Sequence, residues 1–588
     1  MAEEKEKVYG ILENKSLKEI DVDINFESDT ENIVIRDKVA SVGGSQNVAL
    51  GVGALAGTGS QNVAVGTRAL TSNSTGLNNT AVGYYTLAMN TTASGNTAVG
   101  SRALANNKAS DNTAVGFDAL NDNTSGYGNT AVGCKALNKN TASNNTAMGF
   151  QALKGNTTGT SNTAMGYQAL VDNTTGYANT AMGLFALEAN TTGYENVAIG
   201  SQALQENITG RESIAIGSRT LQTSTAGYGN IAIGIIALQK DTTGNENIAI
   251  GSKTLSVNTT GTANVAVGYW ALLRNTTANY NIAIGRSALQ NNSTGENNTA
   301  VGNAALYANT ASNNTAIGFN ALYSNKASNN TAVGYNALCN NMTNSSNTAM
   351  GYSALYTNTG SSNTAMGSSA LYKNTTGDNN TAMGDNTLYT NTTGYNNVAI
   401  GSRALYKNTT GSNNTALGYG ALQTNTSYSS CTGLGCDALV TGSNQVQLGD
   451  SSVTVYAQKA VQTRSDARDK VNIQDSNLGL EFILKLRPRS FQMNSREQYF
   501  AEKDKRDYTA QNDKSKAGKR PHYGLIAQEV KEVLDEMNVD FAGYQDHKVN
   551  GGEDVLSLGY TEFIAPMIKA IQQQQKIIEA LQKKVGMV

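Results

Sequence analysis

The chain has 588 residues, a formal net charge of −2 and only 15% charged residues, with 60 glycines and 3 prolines. That balance gives no electrostatic reason for binding nucleic acid or an anionic membrane surface, and no apolar run reaches the roughly 20 residues that span a bilayer. Cys134, Cys339, Cys431 and Cys436 complete no metal-ligand spacing. They are read as free thiols in a reducing compartment, with a Cys431–Cys436 bridge or an inter-chain contact as the alternatives.

Residues 1–40 carry no repeat. The stretch "EIDVDINFESDTENIVIRDKVASVGG" alternates in strand fashion. It is either a small β-unit that attaches the chain to a larger particle or a cap over the first coil of a repeat region. The start, "MAEEKEKVYGILENKSLKEI", lacks a basic-then-apolar export pattern, so synthesis in a cytoplasm without a cleaved signal is expected.

From residue 41 to 449 one pattern recurs. The glycine after each T/V/I-Ala-V/M/I/L triplet falls at Gly66, Gly83, Gly100, Gly116, Gly133, Gly149, Gly166, Gly183 and Gly200, and continues to Gly418 and Gly435, at a spacing of 16 or 17 residues. That period is too short for a helix pair and fits one coil of a β-solenoid. Within a coil, "NTAVG" is a short strand. Alternation sets its Ala (Ala81, Ala98, Ala114, Ala131, Ala232, Ala316) on one face and the two flanking residues on the other. A small residue in a stacked column points to close approach of another backbone. The Leu of each "AL" or "TL" step (Leu104, Leu170, Leu255) should stack as an apolar column. "NTTG" should close the coil, its Asn and Gly supplying the turn and positive φ.

All three prolines, Pro488, Pro521 and Pro566, lie beyond the repeat, as a fully paired ladder requires. A lone coil cannot bury a core, so stability must come from stacked neighbours. Some two dozen coils about 4.8 Å apart give a rod on the order of 115 Å. These repeats resemble the head domains of trimeric adhesins, and more closely the "NTAVGYNAL" repeats in tail fibres of phages and related viruses. The resemblance covers about residues 44–449 and implies β-rolls packed three-fold. The coil exceeds the usual adhesin repeat by a few residues, so handedness and strand count stay open, and a monomeric solenoid is the alternative.

Residues 450–464 form a strand-like neck. From Ser465 the composition changes, and both histidines and most charge clusters lie beyond it. "LGLEFILKLRPRSFQMN" (478–494) predicts a helix ending before Pro488, then a strand. "YGLIAQEVKEVLDEM" (523–537) predicts a strand or turn entering an amphipathic helix. "LSLGYTEFIAPMIKAIQQQQKIIEALQKKV" (556–585) predicts a turn into a long helix. In that helix Ile564, Ile571, Ile578 and Val585 recur every seven residues, with Met567, Gln574 and Leu581 as the companion column. This is a short heptad seam whose isoleucines favour three strands. The charged stretch 495–522 reads as an insertion.

The order "SDARDKVNI", "LGLEFILKLRPRSF", "GLIAQEV", "LGYTEFIAPMIKAI" closely resembles the C-terminal intramolecular chaperone of viral tailspikes, tail fibres and endosialidases, over residues 465–588. The resemblance implies a small α+β domain that trimerises, guides folding of a β-rich fibre and then cuts itself off. It implies Ser465 as nucleophile, Lys470 as its base and Ser465–Asp466 as the scissile bond. A serine hydroxyl needs a base, and a lysine can serve only where burial or nearby positive charge favours its neutral form. Arg468 stands close in sequence.

The fold class expected is therefore mainly β: a trimeric β-roll shaft of 16–17-residue coils, then a chaperone domain (465–588) ending in a coiled coil. The expected role is a virion fibre or spike that binds a host surface, with a glycan the favoured receptor, its N-terminus joined to a tail or virion protein. No cofactor, metal, nucleic acid or membrane insertion is expected, and the only chemistry is one self-cleavage. A cellular trimeric adhesin and a polysaccharide-degrading spike are the competing readings. The repeat acids (Asp118, Asp122, Glu188, Glu195, Glu206, Glu246, Asp385) are scattered, whereas a glycosidase needs paired carboxylates. Tyr307, Tyr323, Tyr356, Tyr372, Tyr389 and Tyr406 follow the "AL" Leu. They either stack on sugars or pack within the roll or between chains.

Overall fold

A computed structural model describes residues 44–450, 452–453, 470–492, 521–546 and 556–586, and the backbone of 23–27 and 32–36. The chain divides into two compact units, 1–330 and 331–588. Both carry the same parallel β-solenoid, about 24 turns in all.

In the first unit three-residue strands recur from Val48–Leu50 to Thr315–Ile317, each parallel to the next. Alanine stands opposite alanine in every pairing, as in Ala81, Ala98, Ala114 and Ala131. In the second unit the strands run from Thr331–Val333 to Val446–Leu448 in the same register. The strand Ala is fully buried and its neighbours are partly exposed, so the alternation holds. These alanines line the interior of a single chain's coil, and the expected close approach is seen at Gly433, which holds the alanine position: a Cβ there would lie 2.8 Å from Leu422 Cγ and 3.1 Å from the carbonyl oxygen of Ala438.

The leucines form the expected buried column: Leu87, Leu104, Leu120 and Leu137 are all inaccessible. Their backbone carries no signal in the sequence. Each adopts a left-handed φ near 50°, as does the residue two before it (Arg102 at 60°, Leu104 at 52°). Non-glycine residues rarely occupy this region. Burial of the leucine offsets the local cost at each turn.

The turn expectation for "NTTG" is corrected. Its Asn and Gly do not take positive φ. The glycine that does is the one ending the strand, with φ from 123° to 143° between Gly66 and Gly418. A Cβ on Gly200 would lie 2.6 Å from the carbonyl carbon of Gly217 in the next coil. The "NTTG" glycine is needed for space: a Cβ on Gly193 would collide with Asn190 and Gly210.

The asparagine of "NTTG" is inaccessible and belongs to a buried ladder. Asn190 Nδ2 donates to Asn173 Oδ1 (2.7 Å) and to Gly193 O (3.0 Å), and Asn207 repeats the pattern on Asn190 and Gly210. A second column uses the asparagine before each strand. Asn79 Oδ1 accepts from the backbone N–H and the Nδ2 of Asn96, both at 3.1 Å. A buried amide is tolerable only when its donors and acceptors are met, and stacking identical coils meets them.

Coils of 16 residues lose their residue inside this turn. In 17-residue coils the ladder amide reaches the carbonyl three residues on, as Asn173 does to Gly176. In 16-residue coils it reaches the carbonyl two residues on, as Asn107 does to Ala109 and Asn140 to Ala142. Both columns keep their register across the deletion.

At the N-terminal end, Asp23–Glu27 pairs antiparallel with Asn32–Arg36. The latter pairs parallel with Val48–Leu50, setting Val34 opposite Ala49. This hairpin covers the edge of the first coil, the position of a cap. All four cysteines are free.

The residues after the solenoid fold as expected. Helix α1 (Leu480–Lys485) ends before Pro488 and is followed by the strand Arg489–Phe491. That strand pairs antiparallel with His522–Gly524, which leads into α2 (Ala527–Met537). A second two-stranded ladder joins Tyr544–Asp546 to Leu556–Leu558. A 3₁₀ turn, Tyr560–Phe563, opens α3 (Ile564–Lys584). Pro566 sits in the first turn of α3, where its missing N–H costs nothing. Most of the neck and residues 495–520 of the insertion lie outside the described residues. The end of that stretch is not insertion at all, since His522 is a paired strand residue.

Candidate functional site

The chemistry expected of the chain centres on "SDARDKVNI". Ser465 and Asp466 lie outside the described residues. Lys470 is described and exposed, and Val471 and Ile473 beyond it stand 86% and 69% exposed. Two β-branched apolar side chains beside the proposed base are thus bathed in water in a single chain.

The other three motifs converge. Leu478 and Phe482 from the first, Val530, Val533 and Leu534 from α2, and Phe563 from the last make one buried cluster. Phe482 packs near-parallel to Phe563 (6.1 Å between centroids) and edge-on to Phe541 (5.6 Å). Arg489 Nε donates to Glu529 Oε2 (3.0 Å) and the guanidinium also grips Oε1, with Arg487 4.0 Å away. The Glu529 side chain is largely buried, and the Arg489 hydrogen bonds hold its carboxyl below the usual glutamate range.

Two glycines of these motifs leave room for a polar contact. Leu480 N–H donates to Gln573 Oε1 (2.6 Å), and a Cβ on Gly479 would occupy the place of that side chain. Leu525 N–H donates to Tyr560 Oη (2.8 Å), and a Cβ on Gly524 would collide with that hydroxyl. Sequence reading assigned no role to Arg489, Glu529, Tyr560 or Gln573. Their partners lie 35 to 93 residues away, beyond any local periodicity.

Helix α3 has two unlike faces. Phe563, Pro566 and Ala570 are buried, on the side that packs against α1. The heptad residues Ile564, Met567, Ile571, Ile578 and Leu581 are all exposed, as are Ile568 and Ile577. Gln574 is exposed as well, and Val585 lies one residue past the helix end as its C-cap. From Ile571 to Lys584 every residue is exposed. The structure brings the seam onto one helix and leaves it bare.

The outer strand face of the solenoid carries one exposed apolar residue in many coils, among them Val99, Val115, Met148, Met182, Ile199 and Ile250. The tyrosine stripe packs within the roll. Tyr356, Tyr372, Tyr389 and Tyr406 stack at 5.2 to 5.4 Å with nearly parallel planes, and Tyr307 stacks on Tyr323 at 4.9 Å. Both ring faces of Tyr372 and Tyr389 are therefore taken, whereas Tyr356 and Tyr406 at the ends of the stack, and Tyr307 and Tyr323 in their pair, each have one face against a neighbouring tyrosine. Among the repeat acids, Asp118 pairs with Arg102. No group of three or more acidic, cysteine or histidine side chains able to hold a metal occurs among the described residues. No helix among them is long and apolar enough to cross a membrane.

The family model for the chaperone of endosialidase matches residues 465–538. No curated protein and no solved structure matches the chain. A chaperone-of-endosialidase domain behind a β-solenoid shaft fits a tailspike- or endosialidase-type protein.

Proposed function

We propose that the chain is a homotrimeric virion fibre that attaches to a host surface, folded by a C-terminal chaperone that then cuts itself free between Ser465 and Asp466. The observation that carries this reading is the chaperone match over 465–538, placed directly behind the solenoid. Its motif segment and terminal helix expose apolar side chains that a single chain leaves in water. Covering Ile571, Ile578 and Leu581 with two further copies of α3 removes that surface from solvent. The column on the outer strand face supports the same partner. A surface that fills one apolar position per coil must share the coil's axial period, and another copy of this chain does.

Cleavage then waits for assembly. A lysine is a competent base where burial or nearby positive charge favours its neutral form, and Lys470 is exposed in one chain. Burial of Val471 and Ile473 in the trimer would dry the segment that holds it. Within one chain that attack would close a strained four-membered ring, so Ser465 Oγ attacks the Ser465 carbonyl of a neighbouring chain in the trimer, while Lys470 takes the hydroxyl proton and passes it to the departing amine of Asp466. Water hydrolyses the resulting ester. The N-terminus joins the fibre to a virion or tail protein, and a host-surface glycan is the expected receptor.

The test is expression followed by a denaturing gel, intact mass and sedimentation. A trimer yielding one fragment that ends at Ser465 and another spanning 466–588 is expected. Ser465→Ala and Lys470→Ala should each leave the full-length chain. Splitting at that bond in either variant would remove the dyad, and a monomer in solution would remove the trimer.

A further inference from the structure

The buried "NTTG" ladder leaves an oxygen unmet at several rungs, Asn275 Oδ1 and Asn408 Oδ1 among them, but around residue 241 the rung residues themselves change. Its rungs run Asn173, Asn190, Asn207, Ser224, Asp241, Asn258, Asn275, and each of these side chains is inaccessible or nearly so. Ser224 is too short to donate to the rung before it, and three consecutive side chains are left with an unmet oxygen: Asn207 Oδ1, Ser224 Oγ and Asp241 Oδ2. The coil that contains Ser224 also has Ser213 where the second column has asparagine.

Asp241 keeps half of the ladder. Its Oδ1 accepts from Asn258 Nδ2 at 2.7 Å and from the Gly244 N–H. Its Oδ2 therefore takes the place of the amide nitrogen. On the neighbouring rungs that nitrogen donates to the carbonyl three residues on, at 2.9 Å for Asn173 and 3.0 Å for Asn190 and Asn258. An ionised carboxylate there would set one acceptor against another, in a site without water access. A carboxyl proton restores the missing donor.

We propose that Asp241 stands in the ladder as a neutral carboxylic acid, its Oδ2–H donating where its neighbours donate an amide N–H, and that loss of this proton opens the coils around it. The groups facing it are Ser224 from the coil before, Asn258 from the coil after and the Gly244 N–H of its own turn. None of them is charged. The charged residues of the three coils, Arg211, Glu212, Arg219, Lys240, Glu246 and Lys253, have exposed or half-exposed side chains. Burial pushes the Asp241 carboxyl up to about 7, outweighing the hydrogen bonds from Asn258 and Gly244 that favour the charged form. The sign follows from the raised value. The stabilisation is full below the ordinary aspartate range, falls as pH rises through about 7 and changes no further above that.

Hydrogen exchange of the full chain, read by mass spectrometry on peptides covering 208–262, tests this. Wild type is compared with Asp241→Asn at equal pH, so that intrinsic exchange cancels. Asp241→Asn restores the residue of the other rungs, so folding is not at risk. Between pH 5 and 8.5 the wild-type peptides should lose on the order of tenfold to a hundredfold in protection relative to the variant. Peptides from coils 80–190 should show no such divergence. A wild-type-to-variant ratio that stays constant with pH would overturn the proposal. So would protection that depends on an added metal cation rather than on pH, because that marks an ionised, cation-bound carboxylate.

Discussion

The solenoid and the small helix-and-strand region of residues 478–585, here called the C-terminal unit, solve the problem of a core in opposite ways. A coil buries alanine, leucine and asparagine, and its partners are the same residues one coil on: Asn190 bonds Asn173, and Ala98 faces Ala114. The C-terminal cluster draws Phe482, Val530, Leu534 and Phe563 from three separated segments, and pins them with the Arg489–Glu529 and Leu525–Tyr560 contacts, each made once. Repetition makes stacking easy to extend, but it gives little protection against misregister, because a slip of one whole coil still sets Ala against Ala and Asn against Asn. The singular unit holds information that the monotonous one lacks, in keeping with the chain-aligning role proposed for it.

Substitutions can break or sharpen this contrast. Phe482→Ala should cost about 3–5 kcal/mol and melt the C-terminal unit as a whole, seen as loss of near-ultraviolet circular dichroism from its aromatic cluster while the solenoid persists. Gly200→Ala puts a Cβ against the backbone of Gly217 at a φ of 135°. It should cost about 3–4 kcal/mol, but only in adjacent coils, and limited proteolysis should nick near residue 200 and nowhere else in the ladder. If that variant unfolds the entire solenoid, the coils are more cooperative than nearest-neighbour stacking allows.

Smaller effects should separate the two regions further. Asn190→Ala strands Asn173 Oδ1 in a dry interior and removes one of the two acceptors of Asn207 Nδ2; it should lose about 2–3 kcal/mol locally, measurable by exchange in the flanking coils. Glu529→Gln weakens a charge-assisted pair and should lose about 1 kcal/mol at neutral pH. Because the Glu529 carboxyl is held below its ordinary value, the wild-type contribution is present above that value and fades as pH falls through the lowered one. The variant's deficit should therefore vanish in strong acid. The C-terminal unit thus weakens as pH falls at Glu529, and the solenoid, on the proposal for Asp241, as pH rises towards about 7. Ile571→Ser with Ile578→Ser should change the unit's own stability by less than about 0.5 kcal/mol, yet abolish self-association in sedimentation. Unchanged association would mean that α3 is not the seam.

The coil period, the short strand and its inward alanine could all be read from the sequence, because each repeats in register. The strand and helix order of 478–585 could be read as well, since Pro488, Pro566 and the spacing of Val530, Val533 and Leu534 mark it locally. The ladder could not. "NTT" looks like an exposed turn by composition, and only stacking turns its asparagine inward. The left-handed leucines were hidden for a related reason: nothing in "AL" advertises positive φ, and burial against the neighbouring coil imposes it. At the candidate site, sequence named Lys470 and the heptad positions, and the structure shows them exposed to solvent. Gln573, Tyr560 and Glu529 were invisible because their contacts cross long separations.

The corner between each ladder asparagine and its carbonyl acceptor already tolerates a change of one residue, as Asn107 with Ala109 and Asn173 with Gly176 demonstrate. Length variation there leaves both amide columns and the strand register untouched. The same corner on any chosen coil is thus a natural graft point, where foreign peptides could be displayed at a spacing set by counting turns.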